Sequence, residues 1–74
     1  MGDKYPLLAP REIIAVLIKL GFEFKSQRGS HAKYTKGTRI VIIPMHNEVA
    51  RGTLKSILFQ ANVELDVFLS LLNK

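Results

Sequence analysis

Arg28-Gly29-Ser30-His31 sets a histidine just past a glycine-bearing tight turn, inside the only strongly basic stretch of the chain. Histidine is the side chain type whose unperturbed pKa falls nearest neutral pH, which suits it to acid–base work. Placed among phosphate-binding cations, such a group points to proton transfer on a nucleic acid. RNA carries its own nucleophile, the 2′-hydroxyl, so cleaving it asks a protein for a base, a charge stabiliser and an acid. His31 is the candidate general base, a role worth roughly 10²–10⁴-fold in rate. Lys33, Arg39 or Arg28 would stabilise the charge that builds on the phosphorane. Ser30 and the Gly29 amide would hold a phosphate oxygen. The competing reading of His31 is a surface residue that binds RNA backbone without catalysis.

A second titratable group, His46, follows in Pro44-Met45-His46-Asn47. It can give the leaving oxygen its proton, contact phosphate, or order its own loop. Arg51-Gly52-Thr53-Leu54 opens a helix, where Arg51 and exposed backbone amides can grip a phosphate; Thr53 equally suits a first-turn cap. Lys36 and Lys55 extend the basic surface. Two histidines with no third ligand at suitable spacing make a poor metal site, and no cofactor is implied. Ser30 and His31 are neighbours on an extended strand, where successive side chains point to opposite faces, which argues against a serine hydrolase.

The charge is concentrated where these residues lie. From Lys19 to Arg39 six cations stand against one anion, Glu23, so this sub-segment accounts for the whole net charge of +5. A local excess of this kind is the electrostatic footprint expected of a phosphate backbone; the plainer alternative is a solvated basic face. At 74 residues there is room for one core only. The 47% apolar content argues against disorder, and the absence of cysteine removes disulfides and thiolate metal sites as sources of stability. So small a domain is often marginal, which leaves oligomerisation or a permanent partner open. Charges interrupt every apolar run well short of the roughly 20 residues of a membrane span. No secretory signal pattern is visible, and Pro6 stands where a myristoylation motif wants Ser or Thr. The expected location is the cytoplasm.

The elements that must position the site follow from periodicity. Pro10 suits a first helical turn and Gly21 a helix end, with Ile13, Ile14, Leu17, Ile18 and Leu20 at 3–4 residue spacing between them. Phe22 to Lys25 alternates as a strand, Ser26 to Gly29 reads as a turn, and His31 to Thr35 and Arg39 to Ile43 read as two further strands. Met45 to Glu48 connects to a helix beginning near Val49 or Arg51, with Leu54, Ile57, Leu58 and Ala61 on one face and Asn62 as its C-cap. A third helix, about Glu64 to Leu72, presents Leu65, Phe68, Leu69 and Leu72; it is either the last core element or a partner-binding helix. The single domain therefore divides into an N-terminal arm (1–9), an αβββα core (10–62) and a C-terminal helix (63–74). The fold class is α+β: a three-stranded antiparallel sheet with helices on one face and the other face open. Tyr34, Phe22, Phe24, Phe59 and Phe68 are expected in the core.

A three-residue hairpin loop, Thr35-Lys36-Gly37, would pair Ala32 with Ile40 and Ser30 with Ile42. That register sends Ala32, Tyr34, Ile40 and Ile42 toward the helices and turns His31, Lys33, Arg39 and Val41 outward. Burial of the two isoleucines favours it over a two-residue turn. Lys33 would then stand beside Arg39, a pairing that asks for an anion above it.

With these residues assembled, the chain resembles the HicA-type toxin family of small mRNA interferases, over about residues 10 to 62. The resemblance rests on Leu20-Gly21-Phe22, Gly29-Ser30-His31, the Lys36-Gly37 hairpin, Pro44-Met45-His46, the run from Glu48 to Leu58, and Gln60-Ala61. It implies a double-stranded-RNA-binding-domain-like fold, cleavage of mRNA resting on His31, and neutralisation by a HicB-type antitoxin covering that site. By matching position His46 and the Gly52-Thr53 turn belong to the same pattern. Two departures stand out: Ala32 occupies a place where members often carry a second His, and Thr35 is less basic than usual. The leading expectation is a metal-independent endoribonuclease toxin held in check by an antitoxin. The alternatives are a non-catalytic RNA-binding module with the same basic face, and an interaction protein built around its apolar terminal helix.

Overall fold

The computed structural model describes residues 5–72; the first four residues of the expected N-terminal arm and the last two of the C-terminal segment lie outside the described residues. The elements run α1 (Pro10–Lys19), β1 (Glu23–Arg28), β2 (His31–Lys36), β3 (Arg39–Pro44), α2 (Arg51–Ala61) and α3 (Leu65–Leu72). The strands form one antiparallel sheet in the order β1-β2-β3, with β2 central. Ala32 and Tyr34 from β2, and Val41 and Ile43 from β3, are buried and join Ile13, Val16, Leu17, Leu54, Ile57 and Leu58 from the helices in one cluster. The opposite face of the sheet is open. This is the expected α+β, double-stranded-RNA-binding-domain-like arrangement with an added terminal helix.

Both long helices stop by the same device. The amide of Phe22 donates to the Leu17 carbonyl at 2.9 Å and that of Gly21 to Ile18 at 3.0 Å; at the end of α2, Val63 donates to Leu58 and Asn62 to Phe59, each at 3.1 Å. These are Schellman motifs, and Asn62 takes the left-handed conformation they need (φ 58°). At the start of α1 the Glu12 carboxylate accepts the Ala9 amide at 2.8 Å. The arm ahead of α1 is tied down: Leu8 is 7% exposed and its carbonyl accepts the Val49 amide at 2.8 Å. The terminal helix α3 is a core element, because Phe68 is fully buried and the helix packs on α1.

The hairpin register differs from the expected one. β2 and β3 pair Lys36 with Arg39, Tyr34 with Val41, Lys33 with Ile42 and His31 with Pro44. The loop is thus the two residues Gly37-Thr38, with Gly37 at φ +62° in the first central position, the feature of a type II′ turn matched to strand twist. Val41 and Ile43, not Ile40 and Ile42, face the helices, and Ile40 is left 50% exposed on the open face. Lys33 therefore does not stand beside Arg39. The other hairpin is equally tight: β1 continues to Arg28, so the turn shrinks from Ser26–Gly29 to Gly29-Ser30, with Gly29 at φ +59°.

The two sheet edges are not alike. Every residue of β1 is exposed, and a bulge at Lys25 interrupts its pairing between Phe24 and Ser26. Along β3, the Gln60 side-chain oxygen accepts the Ile42 amide at 3.1 Å, and Pro44 has no amide to offer.

Candidate nucleic-acid interface

The tight Gly29-Ser30 turn decides which side chains meet. It sets Arg28 opposite His31, and the pairing then runs through Gln27–Ala32 to Ser26–Lys33. Directly paired residues share a sheet face, and residues two apart along a strand share it too. Arg28, Ser26, His31 and Lys33 therefore project together from the open face. With Ile42 from β3 they line one open depression. His31 is exposed on the central strand, flanked by Arg28 across the sheet and Lys33 along its own strand. Ile42 gives the depression one apolar wall.

Gly29 and Ser30 are the turn that joins Arg28 to His31. The Ser30 carbonyl accepts the Met45 amide at 2.6 Å, which draws the loop after β3 alongside the turn. His46 is the next residue, exposed, at the same end of the sheet as His31.

The remaining cations divide by face. Lys36 and Arg39 are the pair that closes the β2–β3 hairpin, and the corrected register turns both toward the helix side. The Lys36 ammonium donates to the Leu20 carbonyl at 2.6 Å and lies 5.9 Å from the centre of the Phe22 ring. Arg39 donates to the Gln60 carbonyl at 3.4 Å. Each cation thus sits at the C-terminal end of a helix, where positive charge is favoured. Arg51 and Lys55 are exposed on α2, and Arg51 donates its Nε to the Tyr5 carbonyl at 2.7 Å. Of the basic residues singled out in the sequence, then, the fold brings Arg28 and Lys33 to His31, leaves Arg51 and Lys55 on a separate element, and commits Lys36 and Arg39 to helix ends.

Ser26 and Ile42 join the depression without having been singled out; with the two-residue turns in hand, simple alternation from His31 would have found both. Of the five aromatic residues expected in the core, Phe22, Tyr34 and Phe68 are buried, but Phe24 is 58% and Phe59 86% exposed. Phe24 lies on an edge strand and packs edge-on against Tyr34, with ring centres 5.6 Å apart. Phe59 falls off the stripe formed by Leu54, Ile57, Leu58 and Ala61, and so points away from the core. Ala32, the departure from the resembled pattern, is 1% exposed on the inward face, so it takes nothing from the depression.

Among the described residues no three His, Cys, Asp or Glu side chains gather as a metal-ligating cluster, and no helix is long and apolar enough to cross a membrane. No curated protein matched the chain. The family model described as the HicA toxin of bacterial toxin–antitoxin systems matches residues 10–63, which spans α1, the whole sheet with its His31 depression, and α2. The chain belongs to the HicA toxin family of bacterial toxin–antitoxin systems.

Proposed function

We propose that this toxin is a metal-independent endoribonuclease that cuts mRNA in the cytoplasm, with His31 as its general base. The observation that carries the reading is the placement of an exposed imidazole between Arg28 and Lys33 in one open depression. In the reaction, His31 takes the 2′-hydroxyl proton and the 2′-oxygen attacks the adjacent phosphorus. The bond from phosphorus to the 5′-oxygen breaks, leaving a 2′,3′-cyclic phosphate on one fragment and a 5′-hydroxyl on the other. The departing 5′-oxygen takes its proton from His46 or from solvent. Arg28 and Lys33 offset the charge on the phosphorane, acting through fixed donors in the way that stabilises such transition states. Ser30 and the Gly29 amide hold a non-bridging oxygen. The scheme asks for no cofactor. A HicB-type antitoxin neutralises the toxin by covering this depression, in a complex whose assembly stabilises a small domain.

The test is incubation of purified protein with end-labelled single-stranded RNA in the presence of EDTA. Cleavage that leaves 2′,3′-cyclic phosphate ends is the expected result. Binding without cleavage would instead assign the chain to non-catalytic RNA-binding modules of the same fold.

The division of cations by face makes a second expectation. Lys33→Gln weakens RNA binding and lowers the magnitude of the slope of log affinity against log salt by about 0.7, the value for one phosphate contact on a single strand. Lys36→Gln leaves that slope unchanged, because its ammonium is engaged at the end of α1. Titrations of both variants between low and moderate salt separate the two faces; equal slopes for both would count against the depression as the phosphate site.

A further inference from the structure

Phe59 stands on the outer side of α2 and is 86% exposed, an unusual position for so large an apolar side chain in a small domain. Its neighbours on that side, one turn away or two, are Lys55, Ser56, Asn62 and Gly52. Leu58, Val63 and Leu65 lie beside the ring as well, but Leu58 is buried and Val63 and Leu65 pack against the core, so the exposed groups next to it are Lys55, Asn62 and Glu64. Lys55 lies four residues before it and Arg51 eight, and α2 contains no carboxylate. At about 1.5 Å of rise per residue the ring and the two cations succeed one another at about 6 Å intervals. The Tyr5 carbonyl fixes Arg51 through its Nε, leaving the terminal amino groups without a hydrogen-bond partner among the described residues. Tyr5, Lys55, Phe59, Asn62 and Glu64 are the polar and aromatic members of one shallow hollow.

We propose that α2 carries a second RNA subsite, in which one base of a single-stranded segment stacks on Phe59 and the adjoining phosphates lie against Lys55 and Arg51. The inference rests on RNA being the substrate, as proposed above. Bases of any identity offer a face for stacking, and an aromatic ring beside a cationic track is the pairing that binds single strands without strong sequence preference. The subsite also has a path to the depression. Gln60, next to Phe59, holds the Ile42 amide at 3.1 Å, and Ile42 is one wall of the His31 depression. A strand that leaves the depression across β3 meets α2 next.

The test is anisotropy titration of a fluorescent oligouridylate with 2′-O-methyl riboses, which cannot be cut. Wild type, Phe59→Ala and Phe59→Trp are compared, with circular dichroism melts to establish equal folding. Because the ring is exposed, all three are expected to melt alike. Phe59→Ala should bind about 5- to 150-fold more weakly with an unchanged salt slope, and Phe59→Trp at least as tightly as wild type. Wild type that binds and cuts RNA while Phe59→Ala binds equally well would remove the subsite alone. Wild type that binds no RNA would remove the proposed function and the subsite together. A wild-type dimer in sedimentation that Phe59→Ala converts to monomer, with RNA affinity unchanged, would make the patch a contact between copies and overturn the proposal.

Discussion

His31→Ala is expected to lower the single-turnover rate of RNA cleavage about 10²–10⁴-fold while changing RNA affinity only a few-fold. The two effects separate because the structure separates the groups. Arg28 and Lys33 remain in the depression when the imidazole is gone, and phosphate attraction is mostly theirs. The side chain is exposed and takes no part in the core, so folding is not at issue. The measurement is a time course on 5′-labelled RNA in EDTA, with enzyme in excess and the product ends identified. If both proteins cut at the same rate, His31 is not the base, and His46, held at the same end of the sheet through the Ser30–Met45 bond, becomes the residue to replace.

The largest effect on stability is expected at Phe68→Ala, which should cost about 3–5 kcal/mol. For a chain of 74 residues the total is on the order of 4–11 kcal/mol, so the loss consumes a large share of it and leaves a population of unfolded molecules. Phe68 is 0% exposed and joins the cluster under the sheet from the last helix of the chain. Its neighbour Val67 is 43% exposed, and Val67→Ala should lie within about 0.5 kcal/mol of wild type. Guanidinium unfolding of the two variants tests the point directly. A helix kept only for docking a partner would give the opposite pattern, with Phe68→Ala nearly neutral in the isolated protein.

The helices were legible because each carries one apolar stripe at 3–4 residue spacing, and α1 and α2 also have a recognisable stop. Asn62 in the left-handed conformation and Gly21 at the end of α1 are where composition puts them. The sheet register was not legible for a specific reason: β3 is apolar on both faces. Ile40 and Ile42 alternate with Val41 and Ile43, so hydrophobic pattern alone leaves the strand free to present either set to the core. The choice falls to the turn, and Gly37 sits at the first central position of a two-residue loop and not at the end of a three-residue one. That single placement carries Lys36 and Arg39 to the helix side, away from His31. On the β1–β2 side the site was legible in its residues but not its extent, because the strand continues past Lys25 to Arg28 and recruits Ser26. Phe59 shows the limit of residue type as a guide: an aromatic is expected inside, yet its angular position on α2 places it outside whatever its hydrophobicity.

The unequal sheet edges bear on how this domain behaves when crowded. An open sheet grows into a fibre only if each added copy offers a fresh edge of its own. Here the outer side of β3 is closed where Gln60 occupies the Ile42 amide and Pro44 contributes none. β1, the exposed side, can accept one more strand, from another molecule or from the antitoxin. A strand added on the β3 side would have to displace Gln60 from the Ile42 amide, so β1 is the less costly side for strand pairing.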